Sequence, residues 1–234
     1  MHNSDQNVTS IAENIQRLSA QLRQYEQQYE RSTGSVKLLA VSKRHSAERI
    51  VEAHAAGIRD FGENYLQEAL DKIQHLSALQ LNWHFIGPVQ ANKTRAIAEN
   101  FDWVHSVDRL KIAQRLSDQR GSAKEKLNIC VQVKLSEEES KSGLELGETE
   151  ALCDAVQALP NLELRGLMAI PAVLPDTQAQ RDSFRILAKE FARLRRRYTH
   201  FDTLSMGMSN DFEAAIAEGS TLIRIGTSIF GPRE

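Results

Sequence analysis

The sequence predicts an α/β chain of one domain over residues 1–234, a (β/α)8 TIM barrel preceded by an extra helix. Two observations carry that prediction. From Val36 onward, short apolar runs of strand type alternate with amphipathic helical stripes, the pattern of a parallel sheet with crossover helices. Eight such units fill roughly 200 residues, a count and length that suit closure into a barrel. An open doubly wound sheet shares the local pattern and is the competing architecture. No Pro/Gly-rich linker divides the chain.

The elements follow in order. A helix over 9–30 carries Ile11, Ile15, Leu18, Leu22, Tyr25 and Tyr29 on one stripe, and Ser10 and Glu13 have capping-box spacing. Val36-Lys37-Leu38-Leu39-Ala40-Val41-Ser42-Lys43 is an apolar run that stops at a lysine, which reads as a strand buried on both faces. A helix near 46–56 closes at Gly57, and the strand Ile58–Phe61 ends at Gly62-Glu63-Asn64. The helix over 65–79 places Leu66, Leu70, Ile73 and Leu76 on its apolar side. Strand three is Asn82–Ile86, a helix spans 91–99, and strand four is Trp103–Ser106. A helix over 108–119 ends at Gly121, before Leu127–Val133, the most β-rich run of the chain. The polar loop Ser136–Gly143 leads to a helix near 147–158 stopped by Pro160, then to strand six, Leu162–Met168. A long helix over 177–197 buries Phe184, Leu187, Phe191 and Leu194. Strand seven, Thr203–Met206, runs into Gly207-Met208-Ser209. A helix over 211–218 stops at Gly219, and strand eight, Thr221–Ile225, is followed by Gly226-Thr227 and a short turn.

Composition narrows the function classes. With 29 Lys+Arg against 31 Asp+Glu, the net charge of -2 gives no reason to expect nucleic acid or an anionic membrane as partner. Cys130 and Cys153 are too few for a disulfide framework or a zinc site, so no metal is expected. The start, Met1 to Asn7, is polar, and no segment approaches the roughly 20 apolar residues of a membrane helix. A cytoplasmic location is expected.

In such a barrel the functional face is built by the loops after the strands, and phosphate groups bind after strands seven and eight. Those loops are Gly207-Met208-Ser209-Asn210 and Gly226-Thr227-Ser228. Backbone N–H groups beside hydroxyls form an anion site; Ser209 as a helix cap and Gly226 as a turn are the plainer alternatives. Lys43 stands on the same face. A lysine there is usually a surface charge, but an amine in an apolar site adds to aldehydes. An aldehyde with a phosphate tail, such as pyridoxal phosphate, would be held at both ends. Arg224, inside a buried strand, needs a partner: a core carboxylate, or a ligand ring nitrogen at the mouth. Asn64 suits a ring substituent or a turn equally. His84 reads as a satisfied core histidine. Lys141 is by default a solvated charge, with a second cofactor-accepting amine as the alternative.

The segments Leu39–Lys43, Phe61–Tyr65, Trp83–Gly87, Ser140–Gly143, Arg165–Met168, Ser205–Ser209 and Arg224–Thr227 resemble those of the pyridoxal phosphate homeostasis proteins, in order and in register from about residue 8 onward. The resemblance implies a barrel of the alanine racemase N-terminal type, with cofactor on Lys43 as a Schiff base. It also implies Arg224 at the ring nitrogen and phosphate around Ser209, Gly226 and Thr227, beside Met208 and Asn64. It implies a role in vitamin B6 and amino-acid homeostasis without catalytic turnover, and no catalytic residue is assigned. The alternative is a racemase-like enzyme; the chain ends just after strand eight, without a racemase's second domain, and a base opposite Lys43 is not evident. A sugar-phosphate enzyme would leave Lys43 and Arg224 unexplained. The partners expected are the cofactor and apoenzymes that receive it, with no nucleic acid or membrane, in a monomer.

Overall fold

Whether the sheet closes is decided at its two ends. In the computed structural model, which describes residues 10–135, 142–172, 174 and 176–232, β1 (Lys37–Val41) and β8 (Leu222–Ile225) pair in parallel, with Lys37 to Ala40 opposite Leu222 to Ile225. An open sheet would leave both as edges. Between them run β2 (Asp60–Glu63), β3 (Asn82–Phe85), β4 (Trp103–Val107), β5 (Leu127–Gln132), β6 (Leu162–Met168) and β7 (Thr203–Ser205), in sequence order around a closed barrel. The crossover helices are α2 (Ala47–Ala55), α3 (Leu66–His75), α4 (Thr94–Asn100), α5 (Leu110–Arg120), α6 (Thr149–Gln157), α7 (Thr177–Leu194) and α8 (Phe212–Ala217).

The added helix α1 (Ile11–Gln28) starts at the capping box of Ser10 and Glu13 and buries Ile11, Ile15, Leu18 and Leu22. It is tied down at both ends. Asn14 donates to the Ile229 carbonyl at 3.0 Å. Buried Glu26 accepts the N–H groups of Gly34 and Val36, each at 2.9 Å, so α1 holds the entry to β1.

Two apolar regions result. The larger fills the space between strands and helices, with Phe61, Phe101, Phe184 and Leu116 wholly buried. The smaller consists of Leu39, Val41, Ile86 and Leu222. Gly62 leaves room for it, since a Cβ there would lie 3.2 Å from Ile86 Cδ1 and 3.3 Å from Leu39.

The element order matches the expectation, and most differences are at the ends. β1 stops at Val41, so Lys43 lies two residues beyond the strand rather than in it. α3 stops at His75 and α7 at Leu194, short of the expected 79 and 197, and α4 starts at Thr94 rather than 91. A last helix, α9 (Thr227–Phe230), replaces the expected terminal turn. The expected apolar side of α3 does face the core, with Leu76 buried and Leu66 and Ile73 partly so. Lys72 is buried there as well, beside Ala69, held by an ion pair described below. Residues 136–141, including Lys141 and the Glu137–Glu139 run, lie outside the described residues. Cys130 and Cys153 are buried free thiols, and burial raises both, Cys153 to about 12, so neither is primed as a nucleophile.

α7 is fixed to the end of α8 by Glu218, which accepts from Arg181 Nε at 2.8 Å and Arg185 Nη2 at 2.9 Å. Burial raises the Glu218 carboxyl, but the hydrogen bonds from Arg185 and Arg181 outweigh it and hold it below its ordinary value. A depressed folded pKa contributes stability above the unfolded value and loses it as pH falls. Glu218→Gln is therefore expected to cost about 1–2 kcal/mol at neutral pH. The gap from the parent should close below about pH 4, as read by urea unfolding at both pH values.

Candidate functional site

β1 delivers the chain to a tight turn. The Ser42 N–H donates to the Gly62 carbonyl at 3.0 Å, and the His45 N–H donates back to the Ser42 carbonyl at 3.1 Å, with Lys43 and Arg44 between. Arg44 has φ 62, uncommon for a side chain of its size. The turn is secured from below. Lys72 Nζ donates to the Ser42 carbonyl at 2.8 Å, to Glu63 Oε1 at 2.8 Å and to Glu68 Oε1 at 2.5 Å. Ser42 Oγ donates to Glu63 Oε1 at 2.7 Å, and the Arg44 N–H to Glu68 Oε1 at 2.5 Å. Lys43 thus stands on a braced loop, half-buried.

Asn64 follows β2 on the adjacent wall, and its Oδ1 is buried without a hydrogen-bond donor. Gly87 lies so close that a Cβ built on it would overlap the Asn64 carbonyl. Gly87→Ala is expected to displace Asn64, with a loss of roughly 1–3 kcal/mol in stability; urea unfolding measures it.

Across the mouth, two loops face Lys43. After β7, Met208 N–H donates to Asp211 Oδ1 at 2.5 Å, while Asp211 and Phe212 N–H return to the Met208 carbonyl at 3.1 and 2.9 Å. Among the described residues no acceptor takes the N–H groups of Ser209 and Asn210. Gly207, with φ 98, lets this loop pass α8, since a Cβ there would come 2.7 Å from Ala215 Cβ. After β8, Gly226 leads into Thr227 at the start of α9.

Arg224 is only 4% exposed. Its hydrogen bonds go to Ser205 and Ala169: Nη1 donates to the Ser205 carbonyl at 2.7 Å and to Ser205 Oγ at 2.8 Å, and Nη2 donates to the Ala169 carbonyl at 2.9 Å, while the Asp211 carboxylate attracts its charge. Burial pushes it down to about 10, which leaves it cationic at neutral pH. Three of its five donors are engaged, and the guanidinium reaches the mouth.

All seven residues singled out in the sequence, Lys43, Asn64, Met208, Ser209, Arg224, Gly226 and Thr227, line one cavity of about 310 Å³, within the range of small-molecule sites. Its walls also include Val41, Ile86, Ile170, Leu174 and Gln180; Ile170 and Leu174 come from the segment joining β6 to α7 and Gln180 from the first turn of α7, and none of the three gave a signal in the sequence. His45 was missed as well. It is 8% exposed, stacks on Phe230 at 4.8 Å and lines the cavity. A histidine two residues beyond a candidate lysine was the available clue. His84 lies elsewhere, buried among partners, as expected of a core histidine.

A family model described as "Alanine racemase, N-terminal domain" matches residues 8–234. The chain belongs to that family. A pyridoxal phosphate homeostasis protein of Pseudomonas aeruginosa is 56% identical over 227 residues, 97% of each chain, and that of Escherichia coli K12 is 50% identical over 230 residues, 97% of this chain and 98% of the other. PipY of Synechococcus elongatus, solved with pyridoxal phosphate bound, is 39% identical, with a TM-score of 0.83 over 95% of this family member and 100% of PipY.

Proposed function

We propose that this chain is a carrier of pyridoxal 5′-phosphate, serving vitamin B6 and amino-acid homeostasis without catalytic turnover. The observation that carries the reading is the convergence of the Lys43 amine, two loops rich in N–H and hydroxyl groups, and Arg224 on one cavity. The likeness to PipY, solved with the cofactor bound, supports it. The unpartnered Asn64 Oδ1 fits the group too, because the cofactor's phenolic hydroxyl is a donor for such an acceptor.

Bound pyridoxal phosphate supplies an aldehyde to which a primary amine adds reversibly. Lys43 is the amine of the cavity, braced through Ser42. Ser209, Gly226 and Thr227 offer backbone N–H and hydroxyl groups to the phosphate, and Met208 closes the side between them. Arg224 has donors only, so it holds the ring nitrogen by donating and keeps a proton off it. A ring kept unprotonated is a weak electron sink, which favours holding over turnover. Acid/base groups also come from one wall: Lys43 and His45 follow the same strand, and across the cavity the described lining offers only Arg224. A two-base racemisation needs a group on each face of the substrate carbon.

The test is borohydride reduction of the loaded protein followed by peptide mapping. The expected product carries a pyridoxyl group on Lys43; a label elsewhere, or none, overturns the assignment. Racemisation of an amino acid by the loaded protein would replace the carrier reading with the enzymatic one. The reading extends to one cofactor-binding domain over 1–234, a cytoplasmic monomer that hands cofactor to dependent apoenzymes. Among the described residues no helix is long and apolar enough to cross a membrane. Light scattering checks the monomer, and reconstitution of an apoenzyme in the presence of the loaded protein checks the transfer.

A further inference from the structure

The barrel interior holds a line of polar side chains that the cofactor site does not use directly. Asp60, His84, His105, Ser205 and Arg224 come from β2, β3, β4, β7 and β8. His84 Nε2 lies 3.1 Å from Asp60 Oδ1, and His84 Nδ1 lies 2.9 Å from His105 Nε2. His105 Nδ1 lies 2.9 Å from Ser205 Oγ, which accepts from Arg224 at 2.8 Å. The three central residues are at most 1% exposed. The line begins at a cavity of about 650 Å³ at the amino ends of the strands, lined by Asp60 and His84. It ends at the cavity of Lys43, lined by Arg224.

The chemistry of its ends fixes its direction. Arginine only donates and an ionised aspartate only accepts. Ser205 Oγ receives an Arg224 N–H, so its own proton goes to His105 Nδ1. His105 then carries its proton on Nε2 and donates to His84 Nδ1, and His84 Nε2–H donates to Asp60. The reverse order would leave the buried Ser205 hydroxyl proton without an acceptor among the described residues, at a desolvation cost. Burial, with the charge of Arg224, holds His105 well below its ordinary value, in keeping with a neutral ring. Burial raises the Asp60 carboxyl, but the hydrogen bonds from His84 and Asn82 pull it down, in keeping with an anion. The donors align from a cation at one mouth to an anion at the other. Each link polarises the next, and the guanidinium, which already feels the Asp211 carboxylate, gains a second, remote counter-charge.

We propose that Asp60, His84, His105 and Ser205 are positioning residues that fix the Arg224 guanidinium for the cofactor ring from the opposite mouth of the barrel. The cofactor part rests on the carrier reading; the direction of the chain does not. A change at Asp60, outside the cofactor cavity, is therefore felt inside it.

Imidazole ¹⁵N NMR of the protein without added cofactor reads the direction. Both histidines should show protonated Nε2 and bare Nδ1 at neutral pH; a proton on Nδ1 of either overturns the chain. A double-mutant cycle reads the consequence. Asp60→Asn should weaken pyridoxal phosphate uptake about threefold to tenfold and shift the visible absorbance of the bound cofactor. In the Arg224→Gln background the same change should have no effect. An unchanged dissociation constant and spectrum, or an equal loss in both backgrounds, overturns the positioning role. Failure of the unsubstituted protein to take up the cofactor overturns the carrier reading instead.

Discussion

Lys43→Ala is expected to abolish borohydride-stable labelling and to weaken pyridoxal phosphate uptake by about 100-fold, near 3 kcal/mol. The visible absorbance that accompanies amine addition should vanish. Uptake should not fall to nothing, because the loops at Ser209 and Thr227 and the Arg224 guanidinium remain on the cavity wall. Stability should change by less than about 0.5 kcal/mol, since the side chain is half-buried and borders the mouth. Equilibrium dialysis, absorbance and urea unfolding measure the three. Unchanged affinity with absorbance retained would remove Lys43 from the site.

The largest stability effect is expected one layer further out. Lys72→Met should cost about 3–5 kcal/mol. Lys72 is 6% exposed and Glu63 wholly buried, and they meet at 2.8 Å. Burial already raises the Glu63 carboxyl against the pull of Lys72, and among the described residues Glu63 Oε2 has no donor. Without the cation, a buried carboxylate is left with one hydroxyl donor, Ser42. The double variant Lys72→Met/Glu63→Gln should recover about half of the loss, because removing both charges of a buried pair is far milder than removing one. A double variant as unstable as the single would show that the charge is not the cause. The single variant should also release the Ser42 carbonyl and loosen Lys43, weakening cofactor uptake beyond what unfolding alone explains.

Lys72 also shows where reading the sequence stops. The leucines of α3 pointed to a face centred on Leu66, Leu70, Ile73 and Leu76. That side does meet the core, but it also buries Lys72 beside Ala69, because Glu63, at the end of β2, needs a cation. Nothing local to residues 65–79 announces that need. The cavity residues at 43, 64, 208, 209, 224, 226 and 227 were legible because each sits just after, or at the end of, a strand recognisable by its apolar run. In a parallel barrel all such ends gather on one face. His45, Ile170 and Leu174 join them only through the path of the loops, and Gln180 through the placement of the first turn of α7, which no periodicity encodes.

The sequence by itself determined the alternation of strands and helices, the capping box that starts α1, and which strand ends carry an amine, hydroxyls and a guanidinium. Those are local matters, set by apolar periodicity and side-chain chemistry within a few residues. The tertiary structure decided that β1 meets β8, that Lys72 turns inward, and that Asp60, His84, His105 and Ser205 form one line to Arg224. Those are pairings between residues far apart in the chain, Lys37 with Leu222 and, 100 positions apart, His105 with Ser205. Burial forces each polar group to find its partner across the barrel rather than along the chain.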